Sequence, residues 1–249
     1  QVIRRILTGP GGLTTDDLEL DSFDALDLAN GAPVGFWSGI DEIAVGDVLD
    51  QLCGSIGAWW RITAEGKISL GRLEAPDAGE SVLTLTDEDI LSDGFELVVS
   101  SDTERGIPAY RMILEYGRHW YTFSDADFAG AVTDLEVREE LKREFRKTDP
   151  AEDGAVLAKH PLSRELVIRT LLRDAADAEA ERDRLAAIYG AEREIAVIPV
   201  AAETGAAVPL GAVATLESPR FGWSAGEPRR VIGRIHEYAR SRVTLIFWG

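Results

Sequence analysis

The chain has 249 residues, 45% of them hydrophobic, and a formal net charge of −18. This size supports a hydrophobic core in one large or two modest domains. No apolar run reaches the ~18 residues that a membrane-spanning helix needs, so we expect no membrane anchor. Such an acidic surface repels nucleic acid, which argues against direct DNA binding. The single cysteine, Cys53, has no partner for an internal disulfide and lies among apolar residues, so we interpret it as a core side chain.

The first fifty residues are strongly acidic. Ten carboxylates there stand against only two arginines, Arg4 and Arg5, which gives a net charge of −8. Residues 2–8 predict a short helix that ends at the Gly9-Pro10 turn. Residues 13–42 combine acidic and turn-forming residues with isolated apolar side chains. We interpret them as irregular structure with short strands or turns.

Residues 43–57 have the clearest helical periodicity in the first third of the chain. Their apolar positions form one stripe with helical spacing, whose members are Val45, Val48, Leu49, Leu52, Cys53 and Ile56. Residues 58–63 and 68–73 then predict two strands around Glu65-Gly66, a turn-forming dipeptide. We expect the helix to pack its stripe on this hairpin, with Asp50 on the opposite face.

From residue 76 onward the pattern is rich in strands. Strands are predicted at residues 81–86, 95–100, 109–116, 165–172, 195–200, 212–217 and in a final hairpin. Helices are predicted at residues 133–148 and 174–189. The sequence therefore predicts an α+β fold that is mainly antiparallel β, barrel- or sandwich-like. We divide it into a small helix–hairpin domain, 1–75, and a β-rich domain with inserted helices, 76–249.

The final hairpin, residues 230–249, closes a sheet in this interpretation. Alternation predicts that six apolar side chains face the core: Val231, Ile232, Ile235, Val243, Leu245 and Phe247. Four charged side chains are predicted to face water: Arg234, Glu237, Arg240 and Arg242.

The order of four stretches resembles a known family. These are residues 45–73, with the helix and hairpin; residues 107–120; residues 175–200, with a helix and a strand; and residues 210–216 leading into the final hairpin. In this order they resemble the bacteriophage tail hub, or tail tip, proteins of long-tailed phages, prophages and gene transfer agents. Each motif mainly describes packing, so the order of the motifs carries the resemblance.

The resemblance implies a structural role. Members of this family form a ring, usually a homotrimer, around the channel at the distal end of the tail tube. The implied partners are other copies of the chain, distal tail and tail tube proteins, and the tape measure protein. DNA would pass through the channel without specific binding. The implied location is the virion tail, assembled in the bacterial cytoplasm.

One motif suggests catalysis. Gly222-Trp-Ser-Ala-Gly226 fits the G-x-S-x-G nucleophile elbow of hydrolases, which requires a strand before the serine and a helix after it. Here Pro228 and a predicted strand follow Ser224, and the order Ser, acid, His is not met. We therefore predict no catalytic residue and no enzyme. His and Cys spacing predicts no metal site, and no cofactor is implied.

Two aromatic pairs are candidate interface residues: Trp59 with Trp60, and Trp120 with Tyr121. Tryptophan and tyrosine are enriched at protein interfaces, and in a strand one member of each pair would point to the core and the other outward. Two alternatives stay open. One is a carbohydrate-binding module that uses the exposed tryptophans, and the other is an enzyme that degrades cell-envelope polysaccharides, since tail tips of the resembling family sometimes carry one.

The acidic N-terminal stretch supplies candidate channel-lining residues. They are Asp16, Asp17, Asp21, Asp24 and Asp27. An acidic wall keeps passing DNA mobile, whereas a basic wall would bind it by releasing counterions. The competing interpretation is that these carboxylates only solvate the outside of the particle.

Overall fold

A computed structural model describes residues 1–39, 42–91, 93–98, 107–130 and 132–249. Its helices are α1 Val2–Thr8, α2 Leu20–Ala29, α3 Val45–Gly54, α4 Leu135–Lys142, α5 Gly154–Lys159, α6 Ala175–Tyr189 and α7 Ala202–Ala206. Its strands are β1 Ala58–Ile62, β2 Ile68–Arg72, β3 Ser81–Thr86, β4 Glu96–Val98, β5 Arg111–Tyr116, β6 Arg146–Lys147, β7 Ala151–Glu152, β8 Glu165–Arg169, β9 Ile195–Ala201, β10 Val213–Ser218, β11 Trp223–Glu237 and β12 Arg242–Trp248. None of the helices described combines the length and apolarity needed to cross a membrane.

The strands of the described residues form three sheets. Strands β1 and β2 make an antiparallel hairpin. A six-stranded sheet has the order β3-β10-β11-β12-β9-β4, in which only the β3–β10 pair is parallel. A third sheet surrounds β5, with β6 and β7 antiparallel to it and β8 parallel. The predicted α+β class with mainly antiparallel strands is confirmed. The six-stranded sheet is not closed into a barrel, because β3 and β4 lie at its opposite edges.

The chain folds into two compact units, each built from separate segments. The first contains Gln1–Leu73, Ala109–Ala155 and Arg164–Ala187, and the second contains Glu74–Pro108, Val156–Ser163 and Ile188–Gly249. Compactness alone does not show that a segment of the chain folds independently, as a domain would. The division into domains 1–75 and 76–249 therefore stays a prediction.

The core of the first unit contains the α3 stripe that the sequence predicts. Val48, Leu49, Leu52 and Cys53 are buried in it together with Ile68 and Leu70 of β2. Helix α3 covers Val45–Gly54, so it is shorter at both ends than the predicted span 43–57. Burial of this one face stabilises a helix that contains two glycines, Gly46 and Gly54, in spite of their low helix propensity.

The interpretation of residues 13–42 as irregular is wrong for its central part. Residues Leu20–Ala29 form helix α2, and Phe23 and Leu26 are buried on its inner face. Because these two positions are three residues apart, they lie on the same side of a helix. Their burial outweighs the weak helix propensity of the three aspartates in this helix. Residues 40 and 41 lie outside the described residues.

Several elements are shorter than their predicted spans: strand β8 ends at Arg169 rather than at residue 172, and β5 begins at Arg111 rather than at residue 109. The predicted helix 133–148 ends at Lys142, because residues 146–147 form β6 and pair with β5. There the Thr148 hydroxyl accepts a hydrogen bond from the Leu114 backbone N–H at 3.1 Å. Of the predicted strand 95–100, Glu96–Val98 form β4, and residues 99 and 100 lie outside the described part of the chain.

The final hairpin is present, but part of its predicted facing is wrong. Ile232 is 41% exposed and Ile235 is 51% exposed, whereas Val231 is buried. The register of β11 against β12 shifts between Val231 and Gly233. Such a bulge adds one residue to one strand, which reverses the facing of the residues beyond it. The bulge therefore turns Ile235 outward and places Arg234 opposite the buried Leu245.

Candidate assembly surfaces and a polar cavity

The serine motif does not form a nucleophile elbow. Gly222 has a left-handed φ of 83° and ends a 3-10 turn, and Trp223 then begins the long strand β11. Ser224 is exposed on this strand, so no helix N-terminus lies behind its hydroxyl. His236 lies on the same strand twelve residues further on; at about 3.3 Å per residue this is far beyond hydrogen-bond reach.

The described residues bring no three His, Cys, Asp or Glu side chains together in a way that could hold a metal ion. Cys53 is buried on α3. Burial raises the pKa of its thiol to about 12, with a smaller contribution from the nearby Asp50 carboxylate. Its environment therefore keeps the sulfur protonated and unsuited to nucleophilic chemistry.

Trp59 and Trp60 are both half-buried on β1, so the expected split into one core and one exposed residue is not found there. The Trp59 ring lies against Gly71 of β2, where an added Cβ would come within 2.1 Å of the ring. The Trp60 indole N–H donates to the Asp50 carboxylate at 2.7 Å. Both rings thus have packing roles within the first unit.

Trp120 and Tyr121 lie in the loop after β5 and are 36% and 66% exposed. Trp120 contacts two further rings: Phe36 lies edge-on at a centroid distance of 6.0 Å, and Trp37 lies at 6.2 Å. Trp37 is itself 59% exposed. Trp37 is not among the interface residues predicted from the sequence, although Phe36-Trp37 is an adjacent aromatic pair like Trp120-Tyr121.

Arg118 joins this aromatic group to a second one. Its guanidinium lies 4.1 Å from the Trp120 ring centroid and 5.4 Å from that of Phe145. The Arg169 guanidinium lies 5.5 Å from the Phe145 centroid. Arginine and aromatic planes attract one another in such arrangements, so the four side chains form an aromatic–guanidinium cluster.

Each guanidinium in the cluster is also held by a carboxylate. Arg118 pairs with Glu144 at 2.8 Å, and Arg169 donates through Nε to Glu115 at 3.0 Å. Glu115 is buried on β5, and its other oxygen pairs with Lys147 at 3.1 Å. Beside the cluster is a cavity of about 330 Å³, whose lining includes Asp50, Gln51, Arg118, Glu144, Phe145 and Arg169.

The five candidate channel-lining acids fall into two groups. Asp16, Asp21 and Asp24 are exposed, the last two on the outer side of α2. Asp17 accepts hydrogen bonds from the Thr14 backbone N–H and hydroxyl, which lower the pKa of its carboxyl. Asp27 pairs with the amine of Gln1 at 3.3 Å. Whether any of these residues lines a channel stays a prediction.

Comparisons with known proteins give no match to any family model and none to a curated protein. The fold is nevertheless similar to solved structures. Over 82% of this chain it matches a protein in the virion of a native gene transfer agent particle, with a TM-score of 0.51 and 17% identity. Over 87% of this chain it matches a tail protein from Neisseria meningitidis MC58, with a TM-score of 0.52 and 12% identity.

A 43 kDa tail protein of prophage MuSo2 from Shewanella oneidensis is less similar, with a TM-score of 0.39 and 16% identity over 78% of this chain. The chain spans 38% of the length of the gene transfer agent protein, 58% of that of the Neisseria protein and 50% of that of the MuSo2 protein. The two structures with TM-scores above 0.5, a gene transfer agent virion protein and a tail protein, confirm at the level of the fold the resemblance that the order of motifs implies.

Proposed function

We propose that the chain is a structural subunit of a phage or phage-like tail, and more specifically a hub subunit that forms a homotrimeric ring around the channel at the distal end of the tail tube. The observation that carries this proposal is the fold shared with a gene transfer agent virion protein and with a tail protein from Neisseria meningitidis over most of the chain. In this role its partners are further copies of itself, distal tail and tail tube proteins, and the tape measure protein.

A non-enzymatic role is part of the proposal. The one catalytic motif in the sequence lies on a strand, with its serine exposed and its nearest downstream histidine distant on the same strand. Structural tail subunits need surfaces for assembly rather than an activated nucleophile. The location that follows is the virion tail, after assembly in the bacterial cytoplasm.

Among the four candidate interface residues, Tyr121 fits a subunit contact best. Its side chain is 66% exposed, and it contacts Phe123 edge-on at a centroid distance of 5.2 Å, which supports the ring from one side. Interface energy concentrates in large aromatic side chains of this kind. Trp59 and Trp60 offer less, because both are half-buried against their own unit.

The proposal is tested by the mass of the purified chain in solution. Analytical ultracentrifugation is expected to give a trimer, and electron microscopy a ring with a central channel. Tyr121→Ala should shift the mass toward the monomer. Tyr238→Ala is the matched control, because Tyr238 is an exposed tyrosine of the second unit, at 86% exposure. A chain that stays monomeric at every concentration, alone and with its tail neighbours, would contradict the ring.

A further inference from the structure

We propose that the cavity beside the aromatic–guanidinium cluster is a binding site for a neutral saccharide. It lies within the first unit, between the C-terminal half of α3, the loop after β5 and the end of β8. Its volume of about 330 Å³ lies in the range of small-molecule sites and accommodates one or two sugar rings. This function is separate from assembly into a tail.

The lining combines hydrogen-bond donors and acceptors, as sugar hydroxyls require. Arg118 and Arg169 supply guanidinium N–H donors, and Asp50 and Glu144 supply carboxylate acceptors. The Gln51 side-chain amide offers both kinds of group. Because a hydroxyl both donates and accepts, a cavity lined in this mixed way fits a polyhydroxylated ring better than a ligand with a single kind of polar group.

The charge of the lining favours a neutral ligand. Two guanidiniums are balanced by two carboxylates, and each guanidinium already has a carboxylate partner at 3.0 Å or less. A phosphate or sulfate would be repelled by the two carboxylates, and a cation by the two arginines. A neutral saccharide meets neither obstacle, because its hydroxyls use the remaining donor and acceptor sites.

Aromatic faces lie next to the cavity. Arg118 lines the cavity and stacks at 4.1 Å on Trp120, whose neighbour Trp37 is 59% exposed. An exposed indole offers a flat apolar surface beside polar groups, which suits a sugar ring because such a ring also has an apolar face and a polar rim. Phe145 thus supplies an aromatic ring in the lining itself, and Trp120 and Trp37 continue from Arg118 as further aromatic surface.

The polar groups are also held in place before a ligand arrives. Asp50 accepts the Trp60 indole N–H at 2.7 Å, Arg118 lies between two rings, and Arg169 is anchored by Glu115. Fixing side chains in advance lowers the entropic cost of binding.

The test is titration of the purified chain with cellobiose, maltose and N,N′-diacetylchitobiose, each followed by calorimetry and tryptophan fluorescence. A ceiling of about 20 mM sugar detects dissociation constants into the millimolar range. We expect at least one disaccharide to bind. Arg169→Ala and Gln51→Ala should each weaken binding about tenfold, the loss expected when a hydrogen bond to a charged or polar group is removed. Both side chains are exposed enough to be replaced without unfolding the unit.

Arg61→Ala is the matched control, because Arg61 also stacks on a tryptophan, Trp59 at 5.8 Å, but does not line the cavity. It should leave sugar affinity unchanged, as should Tyr121→Ala. The proposal is overturned if none of the three sugars binds, if the cavity variants bind as well as the unaltered chain, or if inorganic phosphate binds at this site instead. The trimer measurement is independent of each of these outcomes.

Discussion

The indole N–H of Trp60 donates to the carboxylate of Asp50 across 2.7 Å, which joins strand β1 to the exposed side of α3. The sequence places Asp50 opposite the apolar stripe of α3, and that position is correct, since Asp50 is exposed. Its carboxylate nevertheless has a partner. The helix is therefore attached to the hairpin by its buried stripe and by one polar contact at the edge.

The difference between the buried and exposed faces of α3 gives the first prediction. Leu52→Ala should lower the free energy of unfolding by about 2–5 kcal/mol, because a buried leucine leaves a cavity when it is truncated. Asp50→Ala should cost only about 1 kcal/mol, the value of one hydrogen bond near the surface. Urea titrations of both variants measure the difference. Equal destabilisation would show that the face of α3 is assigned wrongly.

A buried ion cluster sets the second prediction. The Glu181 side chain on α6 is 1% exposed and pairs with Arg72 of β2 and with Arg184, the latter at 2.6 Å. Arg184 also donates to the Leu73 carbonyl at 2.6 Å, so the cluster joins α6 to the end of the hairpin. Glu181→Ala removes the buried carboxylate that both guanidiniums contact and should cost about 3–5 kcal/mol.

The matched control for that change is Glu179→Ala, an exposed glutamate on the same helix. Its loss should alter the free energy of unfolding by less than about 0.5 kcal/mol, as is usual for surface substitutions. Chemical denaturation of the two variants under identical conditions provides the comparison. If Glu179→Ala proved as damaging as Glu181→Ala, the loss could not be assigned to the ion cluster, because alanine is the better helix former.

The two long helical patterns show how far the sequence predicts this fold. The α3 stripe and the alanine-rich α6 both continue for several turns, so their periodicity alone identifies them. Helix α2 is short and contains four aspartate or turn-favouring positions, and its helix depends on the burial of Phe23 and Leu26 in the core. That burial is a tertiary effect that a local pattern does not contain.

The remaining differences have the same physical origin. The bulge between Val231 and Gly233 changes which face Ile235 occupies, and nothing in the alternation of the strand marks its position. The candidate site depends on contacts distant in sequence, such as Phe36 with Trp120 and Arg118 with Phe145. Residue type alone identifies two of the exposed aromatic side chains, Trp120 and Tyr121. The proximity of Arg118 and Phe145 at the cavity is a tertiary contact that no local sequence pattern predicts.

The environment of Cys53 gives the third prediction. Because burial raises the pKa of its thiol from 9.0 to about 12, the folded chain should react very slowly with a thiol reagent at mildly alkaline pH, and the urea-unfolded chain rapidly. Because the pKa of this thiol is higher in the folded chain than in the unfolded one, its contribution to the free energy of unfolding is fully present below about pH 9. That contribution is lost as the pH rises toward 12. Comparable labelling rates for folded and unfolded chain would contradict the burial of Cys53.

The exposed serine motif gives the fourth prediction. Ser224→Ala should not change the rate of ester hydrolysis by the purified chain. Ser224 lies on strand β11, without the following helix and the histidine that activate a nucleophile. The measurement is hydrolysis of a chromogenic acetate ester by the purified protein. A hydrolysis rate that depends on Ser224 would refute the structural role, since it would require a catalytic arrangement that this strand does not provide.

The charge of the first fifty residues gives the last prediction, which depends on the proposed ring. Asp16, Asp21 and Asp24 are exposed near or on α2, and we expect them to face the bore of the assembled hub. Replacing all three by lysine should make the ring bind double-stranded DNA at low salt, and the binding should weaken steeply as salt increases, since lysines release counterions from phosphates. The electrophoretic mobility of a DNA duplex, with and without the variant ring, measures this binding.

The control replaces three exposed acids elsewhere, Asp174, Glu179 and Asp183, by lysine and therefore changes the net charge by the same amount. Equal DNA binding by both triple variants would assign the effect to net charge alone. A structure of the assembled ring with all three aspartates on its outer surface, and lysines and arginines lining the bore, would end the channel hypothesis even if the hub role stands.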